Sequence, residues 1–381
     1  MKGKKDTARK ILAAFKKVGA RVETKARVTL KTKKDFALFY TPGVGIVSTH
    51  LSKHPEEARD YSVKKNSVAV VSDGSAVLGL GNIGPYGALP VMEGKALIFK
   101  NLAGIDAWPI VLATQDTDEI VKTVLAIAPS FGGINLEDIA APRCFEVERR
   151  LIEALPIPVM HDDQHGTAIV VLAGLINAAK VVKRNLKKER IVILGAGAAG
   201  TAIAKLLLAY GVRDIVVLDR SGAIFKDRPN LSYEKQDLAR ITNPRDVEGD
   251  LHTALSSANI FIGVSGPNLL TPSHVERMAE KPIIFALSNP VPEILPDVAK
   301  AAGAAIVATG RSDFPNQINN ALVFPGVFRG CFDNNVQKIT ETTKLRAARA
   351  LASLIPRPTK DRIIPDVLDK RVVKTVAKAM R

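Results

Sequence analysis

KERIVILGAGAAGTAIAKLLLAYGVRDIVVLDR, Lys188 to Arg220, decides the fold. Ile191 to Leu194 form an apolar strand, and Gly195, Gly197 and Gly200 then supply G-x-G-x-x-G. A helix runs to Tyr210, Gly211 closes it, and a second strand, Ile215 to Leu218, ends in Asp219. The glycines permit a tight turn and let a pyrophosphate approach the helix N-terminus, while an acid ending the next strand can take ribose hydroxyls. A lone glycine pattern is weak evidence, but the full order of strand, turn, helix, strand and acid is specific for a dinucleotide. Asp219 favours NAD, and Arg220 beside it keeps NADP open.

Downstream, ANIFIGVSG, KPIIFALSNP and AAIVATG repeat as strands with helices between them, as a doubly wound Rossmann-type sheet requires. Ligands sit off the carboxyl ends of such strands, which draws in Ser265, Asn289 and the loop Thr309 to Asn320. Upstream, HDDQHGTA (His161 to Ala168) stands before a run with no charge until Lys180, so a largely buried helix begins there. Exposed N–H groups and the positive dipole end favour carboxylates at such a start. Asp162 and Asp163 are therefore metal-ligand candidates, and equally an N-cap pair.

The first half of the chain alternates strands and helices as a separate α/β domain. VAVVSDGSAVLGL reads as two strands about a turn at Asp73 and Gly74, and Lys95 opens an apolar strand, Ala96 to Phe99. A Lys desolvated by apolar neighbours loses basicity and can act as a general base. IDAWPIVLA and SFGGINLEDI are strands around a polar helix, the second ending in Glu137 and Asp138. Nearer the amino terminus, ARKILAAFKKV has helical spacing, ARVETKARVTL is strand-like, and Tyr40 stops at the lip of a turn at Pro42 and Gly43. After Cys331 a basic helical tail, broken by Pro356 and Pro358, runs to Arg381.

Bulk properties exclude several classes. No apolar run reaches the ~18 residues of a membrane span. The net charge of +16 is concentrated at the ends, +11 in Met1 to Lys34 and +8 in Lys344 to Arg381, which leaves the body at −3. A basic nucleic-acid groove through the fold is not indicated. Cys144 and Cys331 have neither metal nor redox spacing, which suits reduced thiols in a cytoplasmic protein.

Glu137, Asp138 and Asp163 make three oxygen ligands without Cys or His spacing, a set for Mg²⁺ or Mn²⁺. With Lys95 as candidate base and Tyr40 as candidate acid in an interdomain cleft, the residues suit an oxidoreductase with a second chemical step. A metal-independent amino-acid dehydrogenase and a metal-dependent oxaloacetate decarboxylase remain alternatives.

The chain resembles malic enzymes of the short bacterial and archaeal type. The matching stretches include DFALFYTPGV, EGKALIFK, GIDAWPI, INLEDI, CFEVERRL, HDDQHGTA, GAGAAG, ALSNP and TGRSDFPNQINNALVFPGVFRG, in family order. The resemblance implies an N-terminal substrate domain over residues 1–160, an NAD(P)-binding domain over 161–353 and the basic tail over 354–381. It implies Tyr40 as the acid that protonates the enol and Lys95 as the base for the malate hydroxyl. Glu137, Asp138 and Asp163 become metal ligands, with Asp162 behind them orienting the site. Asn289 and Asn320 lie near nicotinamide and substrate, and Gly195, Ala196, Gly197 and Ala198 lie against the pyrophosphate. It also implies a homodimer or higher homo-oligomer, and the basic amino-terminal arm suggests a segment that reaches across to the partner. Larger members of the family carry an Arg that grips a malate carboxylate where this chain has Ala76. The carboxylate anchor therefore falls to Asn289, Asn320 or the loop Ser72 to Ser75.

Overall fold

The chain builds two sheets, and the computed structural model describes residues 2–77 and 79–381. β1 (Ser67–Ser72), β2 (Asp106–Val111), β3 (Gly133–Leu136) and β4 (Val159–His161) form a parallel sheet in the order β2-β1-β3-β4. β5 (Arg190–Leu194), β6 (Asp214–Asp219), β7 (Gly222–Ala223), β8 (Ile260–Gly263), β9 (Ile283–Ala286) and β10 (Ile306–Thr309) form the second, in the order β10-β9-β8-β5-β6-β7. Only β7 runs antiparallel. Parallel strands are covered on both faces and read as unbroken apolar runs; Ile191 to Leu194 and Ile283 to Ala286 are buried throughout. The sheet order reverses at β5, which places the glycine turn at the crevice where such folds bind ligands.

Four helices form the amino-terminal arm: α1 (Lys2–Val18), α2 (Lys33–Phe39), α3 (Gly43–Lys53) and the short α4 (Ala58–Tyr61). None of residues 6–66 is buried. Apolar side chains such as Leu12, Phe15, Leu38 and Ile46 stand exposed along the arm. The first sheet is flanked by α5 (Gly84–Ala103), α6 (Thr117–Ile127) and α7 (Arg143–Ala154). α8 (Asp162–Val181) follows β4 without a loop. The second sheet carries α9 (Ala198–Tyr210), α10 (Tyr233–Ile241), α11 (Leu251–Ala254), α12 (Pro272–Glu276) and α13 (Pro296–Ala301). α14 (Phe324–Asp333), α15 (Glu341–Ser353) and α16 (Arg371–Ala379) end the chain. The basic carboxyl-terminal segment is amphipathic: Val372, Val376 and Met380 enter the core while Lys374 and Lys378 do not.

α8 has the buried character its sequence announces. It packs on α9 and α15, and its side chains share one apolar cluster with Val68 and Phe99 from the first half and Ile191 and Phe285 from the second. Among the described residues no helix is long and apolar enough to cross a membrane.

Three local expectations are corrected. Residues 96–99 are not a strand but the end of α5, where Ala88, Met92, Lys95, Ala96 and Phe99 turn inward. Their helical spacing is masked by Gly87, Pro90 and Gly94 and by the strand-like ALIF. VAVVSDGSAVLGL gives one strand, β1, because the chain after Asp73 folds into a loop closed by a bridge between Val77 and Gly81; Leu78 lies outside the described residues. ARVETKARVTL forms no strand; it meets the first half through side chains instead, Arg21 with Glu93 on α5 and Arg27 with Asp106 at the start of β2.

Candidate active site

The ends of β3, α5 and α8 converge on a buried group of charges. Glu137 leaves β3 with its N–H still donated to Val71, 2.8 Å away. Asp138 adopts φ +54°, a left-handed backbone that costs a non-glycine residue roughly 1 kcal/mol or more. That turn aims its N–H at Asp163 Oδ2, 2.8 Å away, in the first turn of α8. Carboxylate oxygens of Glu137, Asp138 and Asp163 all lie within 4.8 Å of one another. Lys95, 8% exposed, brings Nζ to 2.9 Å from Glu137 Oε1 and donates to Asp162 Oδ2. The same ammonium stands 4.3 Å above the Phe324 ring.

Electrostatics follow from this crowding. Burial pushes the Glu137 carboxyl well above its ordinary range; Lys95 opposes the shift and Asp163 reinforces it. Burial likewise raises Asp162 against the pull of Lys95. For Lys95, burial disfavours the ammonium, but Asp162, Glu137 and Asp163 together outweigh it and raise its basicity. The expectation of a Lys made less basic by apolar surroundings is therefore reversed, since its neighbours are acids. Like charges held this close and this buried fit a divalent cation, which relieves their repulsion. The all-oxygen donor set matches Mg²⁺ or Mn²⁺.

A second network pins the start of α8. Glu148 on α7 accepts the His161 N–H at 2.7 Å through Oε1, while its Oε2 meets Gln164 Nε2 at 3.1 Å and His165 Nε2 at 2.9 Å. Lys344 on α15 lies 2.9 Å from His165 Nδ1. Burial would raise the Glu148 carboxyl, yet His165, with Lys344 behind it, holds it at about 2 against an ordinary 4.5. A lowered folded-state value means stability that is complete above the ordinary range and is lost as pH falls through the folded value. Glu148→Gln should thus flatten the acid limb of stability between pH 4.5 and about 2. It should also remove about 1–3 kcal/mol near neutral pH, the cost of under-satisfying buried donors. Urea midpoints across that window measure both effects, and equal steepness in the two proteins would remove Glu148 from this role.

The dinucleotide turn forms as expected. Gly195 takes φ +123°, and a Cβ on Gly200 would lie 1.7 Å from Gly195 O, so the turn closes only with glycine there. Gly197 caps α9 with no side chain in the way, and Ala196 and Ala198 flank it, half-buried. Ala198 also packs against the core of the first sheet. Asp219 is already engaged: Arg228 Nη2 lies 2.8 Å from Oδ1 and Lys235 Nζ 2.5 Å from Oδ2. Burial would raise its pKa, but these donors and the Ser221 N–H hold it low. Asn320 lies over the first turn of α8, its Cβ 3.2 Å from where a Gly166 Cβ would stand. Asn289 sits at the end of the β9 segment, with its backbone against Gly79 and its amide beside Gly310.

Tyr40 is not among these groups. It ends α2 with 58% of its surface exposed and its ring edge-on to Phe36. Conversely, Arg143 was missed by the sequence reading. Its Nη2 donates to Asp73 Oδ2 at 2.7 Å and Ser75 Oγ at 2.9 Å, while Ala76 N–H is bonded to Asp138 O. The guanidinium thus borders the same loop that lacks an Arg at Ala76. The only signal for it in the sequence is its place five residues after Asp138, at the start of α7.

Comparison with known proteins bears on the same residues. Residues 19–152 match the malic enzyme N-terminal domain, and residues 164–380 match the malic enzyme NAD-binding domain. The chain belongs to the malic enzyme family. Among curated malic enzymes it is 52% identical to an NAD-dependent malic enzyme of Geobacillus stearothermophilus, over 95% of this chain and 76% of that protein. A bifunctional malic/malolactic enzyme of Bacillus subtilis is also 52% identical, over 94% of this chain and 88% of that one. The crystal structure of an NAD-dependent malic enzyme from Thermotoga maritima superposes with a TM-score of 0.94 at 48% identity, covering 97% of this chain and 98% of that one. Malic enzyme architecture, a mixed α/β N-terminal half followed by a Rossmann-type half, is what the two sheets display.

Proposed function

We propose that the chain catalyses oxidative decarboxylation of (S)-malate to pyruvate and CO₂ with reduction of NAD or NADP, in the presence of Mg²⁺ or Mn²⁺. The observation that carries this reading is the buried Lys95 beside Glu137, Asp138 and Asp163, at the start of the helix that packs along α9. When bound, the nicotinamide would supply a hydride acceptor and the cation a Lewis acid for the substrate's C2 oxygen. Glu137, Asp138 and Asp163 would hold the cation, and Gly195 to Gly200 the pyrophosphate, with Asp219 at the ribose. Lys95 takes the C2 hydroxyl proton, for which positive charge bound by its acidic neighbours is the natural trigger, since it cancels the field that raises its basicity. Asn289 and Asn320 orient substrate and nicotinamide, and Arg143 supplies a cation for a malate carboxylate. The C3–C4 bond then breaks, releasing CO₂ and leaving the enol, and Tyr40 protonates its C3 to give pyruvate. Absorbance of the reduced nicotinamide with malate, Mn²⁺ and either NAD or NADP tests the reaction and the cofactor together; no malate-dependent signal with either would overturn it.

The exposed apolar arm supports a homodimer in which Tyr40 of one subunit serves the Lys95 of the other, in a cytoplasmic enzyme acting on a small molecule. A mixture of Tyr40→Phe and Lys95→Ala chains then makes hybrids with one intact site each. Activity should recover to about a quarter of wild type at equal mixing, since half of the dimers are hybrid. Mixed dimers that stay as inactive as their parents would show that each chain completes its own site.

A further inference from the structure

Two groups of metal-ligating side chains gather among the described residues, and the second lies outside the active site. We propose that His54, Glu56 and Glu57, with His50 hydrogen-bonded to Glu57, form a transition-metal site of the Zn²⁺ type on the amino-terminal arm.

His50 and His54 are four residues apart at the end of α3, so one helical turn stacks their rings with centroids 4.8 Å apart. The chain then turns through a single 3-10 turn, Pro55–Glu57, that folds both glutamates back beneath the imidazoles. His50 Nε2 lies 2.8 Å from Glu57 Oε2, and His54 Nδ1 lies 3.5 Å from Glu56 Oε1. Ligand atoms of His54, Glu56 and Glu57 fall within 4.8 Å of one another. Tetrahedral Zn²⁺ holds nitrogen and oxygen at about 2.0–2.2 Å, which separates neighbouring ligand atoms by about 3.4 Å. The set brackets that spacing, and its side chains are 40–69% exposed, free to move by the difference. Lys53 lines the same open cleft and Tyr61 stands edge-on to His50, so one positive charge opposes the cation and two carboxylates favour it.

Ligand chemistry separates this site from the first. Imidazole nitrogen suits Zn²⁺, Ni²⁺ or Cu²⁺, whereas Mg²⁺ demands oxygen and keeps much of its water. Excess Mg²⁺ therefore fills the carboxylate site and leaves the arm open to Zn²⁺. Once bound, the ion ties the last turn of α3 to the turn after it and stiffens the segment that follows Tyr40.

The test is calorimetric titration of the full-length, EDTA-treated and desalted protein with Zn²⁺ in excess Mg²⁺. One Zn²⁺ per chain is expected, with affinity lowered more than about tenfold in His50→Gln and in His54→Gln, the factor that about 1.4 kcal/mol produces. His252→Gln, a control at a histidine pair elsewhere whose rings lie 5.8 Å apart with His274 as partner, should bind like wild type, and so should Asp163→Asn, which rules out displacement of Mg²⁺ from the carboxylates. Both histidine variants should melt in EDTA at the wild-type temperature, because their rings are exposed. Absence of Zn²⁺ uptake, or uptake unchanged by either histidine substitution, overturns the proposal.

Discussion

Replacing Lys95 with Ala should lower malate turnover by about 10²–10⁴-fold, the range that a positioned general base supplies. Mn²⁺ binding should survive, because Lys95 competes with the cation for Glu137 and contributes no ligand atom. Removing a buried ammonium also strands Asp162 and Glu137, and breaking such a pair costs about 3–5 kcal/mol. Loss of activity could then reflect loss of fold. Lys95→Arg settles the point, since it keeps the charge among the acids but cannot give up a proton at neutral pH. The expected pattern is two inactive variants that bind Mn²⁺ and dinucleotide, with the Arg form melting nearer to wild type. Near-wild-type turnover in either would remove Lys95 from proton transfer.

Asp163→Asn should impair metal binding and malate oxidation together. The amide oxygen can still accept the Asp138 N–H that Asp163 Oδ2 accepts now, so the turn at Asp138 keeps its geometry. What is lost is one negative charge among three, and with it at least about tenfold in Mn²⁺ affinity, since even groups that only orient ligands are worth 10–100-fold. Raising Mn²⁺ should partly restore turnover, while dinucleotide affinity stays unchanged because the Gly195–Gly200 turn is untouched. Manganese binding equal to wild type would exclude Asp163 as a ligand.

These residues were legible in the sequence to different degrees, for physical reasons. The Rossmann half was plain because each of its features is local: an apolar strand, glycines at fixed spacing, and an acid at the next strand's end. Glu137 and Asp138 could be placed at a strand edge for the same reason. Lys95 was identified, but its helix was not, because Pro90 and three glycines hide a period that only tertiary packing enforces. Its charge state was inverted, since the acids that set it lie 42 and 67 residues further along the chain. Arg143 was invisible because its meaning comes from the Asp73 loop folded against it. Tyr40 is the converse, a residue whose motif is local and whose partners are not among the groups gathered here.

The direct passage from β4 into α8 at His161 and Asp162 has one more consequence. Glu137 and Asp138 travel with the first sheet, whereas Asp163 travels with a helix packed on α9, so the three carboxylates straddle the line along which the two halves meet. Any rotation between the halves must bend this junction and alter the spacing of the set. A cation held there would bind with an affinity that depends on the angle between the halves, and a dinucleotide favouring one angle would tighten the cation by the same factor by which the cation would tighten the dinucleotide. The protein should therefore show reciprocal cooperativity between two ligands that need never touch.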